Sequence, residues 1–550
     1  MSLDNPTFPN KSLSAINGEE ELRRLVREQQ ETIRALRQTI ETMGRQLKQQ
    51  QERIEQLETD LKTHKKLNKR PKITASRLND SKSTGKEKSG QKRPGSGKVS
   101  KKNNFQVDEE RIIQPEKMPV GAKFHGYRDY DVQELLIERH NIRFRLAEYV
   151  TKDGSTVVGQ LPREYQNSHF GPLLLGYILY QHYQCRVPQA IVREQLQEWG
   201  IEISTGQLHN ILSEKKESFH AEQEQVLRVA LETATYIHTD DTGARHQGKN
   251  GYCTVIGNQY FAYFRSTPSK SRETFLETLH GGSPLYVLNE VAQRYLEGSG
   301  LAAKHRQKLR FGELVLAREP REWERYLQQL GIVTPKARRL VTEAALLGGV
   351  IDKGVAVNLR ILSDGAGQFK LLMHGLCWIH AERSLRRLQG HTVEQCQNID
   401  SMQQLLWDYY QQLKAYQQEP SLKFKAQLEQ EFDQVFGRSF LEHASLNHVL
   451  AQFRARKEEL LQVLDCPQLP LHNNAAESDI REYVTRRKVS GGSRSDAGRQ
   501  ARDTFIGLKK TCRKLGLSFW SYLQSRLRGD GKIPSIPDVI RAMTSGLCTC

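Results

Sequence analysis

Residues 19–67 place apolar side chains on two interleaved seven-residue seams. One reads Val26, Ile33, Ile40, Leu47, Ile54 and Leu61; the other reads Leu22, Gln29, Leu36, Met43, Gln50 and Leu57. Six heptads with charged outer positions predict a coiled coil. β-Branched residues on the first seam with Leu on the second favour two parallel strands, and Gln29 and Gln50 would fix the register. The pattern then stops: residues 68–104 are Lys, Ser, Gly and Asn with almost no large apolar side chain, the composition of a disordered basic linker. Alternation returns over 105–165, as in Ile142-Arg143-Phe144-Arg145-Leu146 and Ser155-Thr156-Val157-Val158, and predicts a small β-rich module.

A helical period takes over in residues 166–230. Gln189 to Trp199 is periodic, Gly200 breaks it, and Ser204-Thr205-Gly206-Gln207 is a capping box that opens the next helix. Two helices across so short a turn could read DNA as a helix-turn-helix or simply pack, and the second is not notably basic. From Thr233 the pattern shortens to strands. Thr235–Asp240 is one, Tyr252–Ile256 and Gln259–Phe264 make a hairpin across Gly257-Asn258, and Val355–Asp364 is another. The 124 residues from Asp240 to Asp364 exceed what a hairpin and one crossover need, so 285–350 is read as a helical insertion and 376–465 as a second. The domain reading is therefore a coil (19–67), a linker (68–104), a β-rich module (105–165), a helical region (166–230), an α/β domain (231–525) and a C-terminal tail (526–550).

The 550 residues carry a formal net charge of +18. Residues 62–104 hold 15 Lys and Arg against 2 acids, and residues 481–514 hold 11 against 3, so the rest of the chain is slightly acidic. Two concentrated basic patches point to a polyanion whose counterions are released on binding, and the first patch could equally be a solubilising tail. The eight cysteines include no Cys-x-x-Cys pair, which suits reduced thiols in the cytoplasm. The N-terminus lacks the apolar core of a secretory signal and the longest apolar run is too short for a bilayer, so no membrane role is expected.

Three carboxylates far apart in sequence then stand out. Asp240 closes His238-Thr239-Asp240-Asp241-Thr242, Asp364 lies in Ser363-Asp364-Gly365 ahead of Cys377-Trp378-Ile379-His380, and Glu477 follows Asn473-Asn474 with Arg481 one turn on. Two strand-end acids and a helical one are a donor set for two divalent ions in phosphoryl transfer. Strand alternation puts Asp240 on the face of His238 and Asp241, the rival, on the other. Asn473 and Asn474 read as an N-cap for the Glu477 helix. Cys377 and His380 alone cannot close a tetrahedral zinc site.

In order and flanking residues these motifs resemble the transposases of the insertion sequence 66 family, a branch of the DDE recombinases with an RNase H-like core, over about residues 165–525. The resemblance implies an α/β RNase H-like catalytic core with helical insertions, behind a coiled coil, a basic linker and a small helical DNA-binding region. It implies Asp240, Asp364 and Glu477 as catalytic metal ligands for two Mg²⁺ or Mn²⁺ ions. Arg481, Arg486, Arg487 and Lys488 are expected on DNA phosphates. Cleavage at element ends and strand transfer into target DNA are the expected reactions. The alternatives are a DNA-binding regulator derived from such an enzyme and a structure-specific nuclease on the same fold. Expected partners are terminal inverted repeats, target DNA, a second copy through the coil and accessory proteins of the same element, all in a cytoplasmic, nucleoid-associated setting. Family members carry a cysteine-rich zinc element near residues 105–165; this chain has no cysteine before Cys185.

Overall fold

The computed structural model describes residues 19–65, 107–166, 168–312, 315–441 and 443–545. The predicted linker, 68–104, lies wholly outside them. Helix α1 (Glu19–Lys65) runs the length of the heptad segment. Its seam faces solvent in the single chain, with Ile40 68% and Leu47 64% exposed. Of the described residues, 107–138 fall in a unit separate from the rest. The β-rich module expected over 105–165 reduces to one exposed hairpin, β1 (Glu148–Val150) with β2 (Thr156–Val158). Residues 107–147 carry no other strand, because their apolar side chains find no second layer to bury against.

The predicted boundary at residue 230 is not a boundary. Helices α2 (Pro172–Leu179), α3 (Gln189–Glu198), α4 (Thr205–Ser213) and α5 (Glu217–Thr233) share one core with the sheet that follows. The Ser204 capping box forms as its sequence predicts, with Gln207 N donating to Ser204 Oγ and Ser204 N to Gln207 Oε1. A single π-helical turn, Tyr180–Gln184, follows α2.

The sheet has five strands: β3 (Tyr236–His246), β4 (Lys249–Gly257), β5 (Ala262–Thr267), β8 (Arg360–Ser363) and β9 (Met373–Leu376), in the order β5-β4-β3-β8-β9. The first three make an antiparallel meander; β8 and β9 add to β3 in parallel. Between β5 and β8 lie α6 (Arg272–Leu279), the pair β6 (Tyr286–Val287) and β7 (Val315–Ala317), and helices α7 (Glu290–Gly298), α8 (Ala303–Arg306), α9 (Pro320–Gln329) and α10 (Pro335–Asp352). After β9 come α11 (Trp378–Arg386), α12 (Val393–Gln418), α13 (Leu422–Phe436), α14 (Ala444–Ala455) and α15 (Lys457–Leu460). Trp378, Tyr409, Phe432 and Phe436 form their aromatic centre.

Helices α16 (Asn474–Ser490) and α17 (Asp496–Lys514) cover one face of the sheet. Strand alternation decides who meets them: Val255 and Phe264 pack with Ile480, Tyr483 and Ile506, while Ile256 and Tyr263 join the opposite core with α5 and α10. The expected C-terminal tail is instead structured. Helix α18 (Phe519–Arg528) leads to α19 (Ile536–Thr544), which buries Ile536 and Ile540 against the α5 side of the core. Arg526 and Ile536 N both bond the Glu222 carboxylate on α5. Among the described residues, no helix is long and apolar enough to cross a membrane, and no cysteine is disulfide-bonded.

Candidate functional site

Asp240 is not at a strand end, as its Asp-Asp-Thr-Gly context predicts, but in the middle of β3. The strand continues to a two-residue turn at Gln247 and Gly248, both at positive φ, the hairpin geometry that the right-handed twist of paired strands favours. Parallel pairing of β3 with β8 matches Tyr236 to Arg360, Ile237 to Ile361 and His238 to Leu362. Two residues on, that register brings Asp240 level with Asp364, where β8 has just ended. Gly365 at φ +97° makes the turn away, and Ala366 N donates to Asp364 Oδ1 at 2.9 Å. Behind Asp364, Ser363 Oγ bonds the His374 ring at 2.8 Å, and His374 reaches Glu459.

Helix α16 supplies Glu477 in its first turn. Asn473 occupies the N-cap position without capping: its Nδ2 donates to Thr239 O at 2.9 Å and its N–H to Cys377 Sγ at 3.2 Å. The side chain is committed to tying the helix start to the strand beside Asp240. Cys377 is thereby an acceptor in a buried junction. His380, Arg383 and Arg481 stand around the Glu477 carboxylate at 3.9, 3.5 and 3.7 Å.

Burial and the charges of Asp364, Asp241 and Glu477 push the Asp240 carboxyl up to about 7, against a hydrogen bond from Asp241 N. Asp241 does turn to the other face, where Gln368 Nε2 donates to it at 2.6 Å and Lys270 lies 3.8 Å away. Among the described residues, no three His, Cys, Asp or Glu side chains converge tightly enough to hold a metal ion as they stand.

The basic rim divides. Arg481 is exposed and Arg487 half-buried near Gly243, with Lys488 exposed beyond them. Arg486, expected on phosphate, is 2% exposed: its guanidinium bonds the backbone and ring of His182 and lies over Tyr183. A phosphate cannot reach it, and helical phase is the reason, since Arg486 falls on the buried α16 face with Asp479 and Tyr483. The Ser490–Ser493 loop docks on β3 through Ser493 N to Arg245 O and Gln247 N to Ser493 O. A Cβ on Gly492 would stand 2.5 Å from Arg245 O, so only glycine allows the approach.

Sequence reading missed Arg383, Lys270 and Gln368. Arg383 had a signal, one turn beyond His380 on the same helix; the other two lie on elements that only the fold brings to β3.

Fold and site define a mixed α/β protein with an acidic centre at a parallel strand junction and arginines at its edge. The sequence model described as Transposase IS66 family matches residues 167–289 and 352–501. An uncharacterized protein, y4jO of Sinorhizobium fredii, is 42% identical over 315 residues, covering 56% of this chain and 96% of its own length. The chain belongs to the IS66 transposase family.

Proposed function

We propose that the protein is a DDE transposase on an RNase H-like core, with Asp240, Asp364 and Glu477 as its catalytic carboxylates. The observation that carries the reading is the β3–β8 register: it brings Asp240 level with Asp364, with the Glu477 helix tied to the preceding residue, Thr239. An antiparallel meander continued by two parallel strands supports the core.

The donor set fits divalent ions. All three ligands are hard carboxylate oxygens, and Asp240 is pushed up to about 7 by burial and by neighbouring anions, a surplus of negative charge that a cation relieves. Two bound Mg²⁺ or Mn²⁺ ions would activate the attacking oxygen and neutralise the leaving one. The chain itself forms no covalent intermediate. Water oxygen attacks a phosphorus at the element end, one P–O bond forms, and the bond to the 3′ oxygen breaks with a proton delivered to it. That 3′-hydroxyl then attacks a target phosphodiester in line: its new P–O bond replaces the bond to the target's own 3′ oxygen, which leaves and takes up the proton the hydroxyl gives up. Arg481, Arg487 and Lys488 hold backbone phosphates; Arg486 holds α16 in place. Helix α1 pairs in parallel with a second copy, covering the exposed Ile40 and Leu47 seam and presenting two catalytic domains to two ends.

The test is cleavage and strand transfer on terminal-repeat DNA with Mg²⁺. Asp364→Asn should abolish both while DNA binding persists; strand transfer by that variant at near wild-type rate refutes the site assignment. Residues 1–67 deleted, paired-end binding should weaken more than single-end binding.

A further inference from the structure

Helix α11 is fixed at the junction of the acidic centre. Cys377 N donates to Ser363 O at 3.1 Å, next to Asp364, and Trp378 N donates to Leu471 O at 3.0 Å, just ahead of α16. The Trp378 indole, buried, bonds Leu460 O. The helix start is therefore rigid, and His380 and Arg383 on its next turns are aimed at Glu477. Arg383 Nη1 bonds His380 Nε2 at 2.8 Å, while its Nη2 stands 3.5 Å from Glu477 Oε1. Arg481 approaches the other oxygen at 3.7 Å.

Both oxygens of Glu477 thus face cationic groups. None of these contacts is as short as the ~2.7–2.9 Å of a closed ion pair. Two facts follow from one arrangement: Glu477 is drawn toward α11, and the carboxylates do not converge on one point. Arg383 keeps a third of its side chain exposed, so its planar fork can also meet a phosphodiester.

We infer that Arg383, braced by His380, is a placeholder for the cation at Glu477: it neutralises this carboxylate in the metal-free protein and transfers to a phosphate oxygen of the bound DNA when a divalent ion takes Glu477. The inference rests on Glu477 being a metal ligand. It predicts opposite signs for two measurements, whereas an arginine that merely joined α11 to α16 would weaken both when removed.

The experiment is calorimetric titration of the full-length chain with Mn²⁺ alone, without DNA, alongside single-turnover cleavage at saturating protein. Arg383→Ala should bind Mn²⁺ about threefold to tenfold more tightly, the scale of one weak competing ion pair. Its cleavage should be about 10²-fold slower, as for one lost charge-stabilising donor. Arg383→Lys keeps the charge and loses the fork, so Mn²⁺ affinity should return to wild type with cleavage still at least about tenfold slow. Arg383→Ala that binds Mn²⁺ no more tightly than wild type, or cleaves as fast, overturns the inference. If Arg383→Ala does not fold, Arg383→Lys cleaving at the wild-type rate overturns it equally. Glu477→Gln separates the two levels: a wild-type protein whose Mn²⁺ affinity that substitution leaves unchanged refutes the metal-ligand reading itself, and the inference with it.

Discussion

Helix α16 carries three carboxylates within six residues, and it treats them in opposite ways. Glu482 is closed between Arg186 at 2.6 Å and Lys509 at 2.6 Å, and Asp479 meets Lys514 at 2.6 Å and Lys510 at 3.4 Å. Both are nearly buried. Glu477, earlier on the helix, is only ringed by Arg383, Arg481 and His380, none nearer than 3.5 Å, and retains a fifth of its side-chain exposure. Burial alone would raise the Glu482 carboxyl, but Arg186 and Lys509 outweigh it and hold it at about 2. Charges that staple the helix are satisfied at short distance; a charge left under-satisfied at the edge of an acidic centre is free to take a ligand. The difference sets two structural acids apart from the one that the proposed function makes a metal ligand.

The largest expected effect tests the chemical side. Glu477→Gln should slow cleavage by about 10³-fold or more, the scale of losing a preorganised charge at a reacting centre, with the melting temperature unchanged. Single-turnover rates and thermal melts together check it; a matching loss of stability would make Glu477 another staple. The structural side comes next. Glu482→Ala leaves Arg186 and Lys509 without their anion and should cost about 3–5 kcal/mol, read by urea denaturation. A Glu482→Ala protein as stable as wild type removes the distinction.

Acid sensitivity sharpens it further. His182, buried against the positive charge of Arg486 with Arg502 nearby, is depressed to about 3, so its neutral form stabilises the fold. The unfolded chain binds this proton first, near pH 6.5; the contribution is whole above that and is lost as pH falls toward 3. Glu482 adds a second loss, from about 4.5 down to about 2. His182→Asn should therefore flatten the fall in stability between pH 6.5 and about 3 by the share this one imidazole contributes. A pH series with the same slope in that window for variant and wild type refutes the assignment. The smallest effect is on the rim. Arg481→Ala, three-quarters exposed, should change stability by no more than about 0.5 kcal/mol while slowing cleavage more than it weakens DNA binding.

Asp240, Asp364 and Glu477 stand out in the sequence because each sits in a short motif, and the fold adds the register that aligns the first two. Helix start signals were equally legible: the Ser204-Gln207 capping box forms as written. Asn473 looked like another cap and is not, since a nearby backbone carbonyl, Thr239 O, offered its amide a buried partner that no local pattern announces. Arg486 looked like a phosphate ligand because a run of Arg-Arg-Lys reads as one patch, whereas helical phase splits it between core and solvent. The C-terminal helix was missed since nine residues are too few for periodicity to speak, and its burial depends on Glu222, some three hundred residues away.

Sequence by itself determined the local grammar: the heptad seam of α1, the strand-and-turn rhythm of the sheet, the basic patches and the identity of the acids. These follow from period, propensity and charge, which act over a few residues. Tertiary structure decided everything that depends on register and distance. It extended β3 past Asp240, aligned that residue with Asp364, folded the helical region and helices α18 and α19 into the sheet's own core, and set Arg383 against Glu477. Such choices arise from burying polar and charged groups only where a partner waits, and the partners are brought together by the fold.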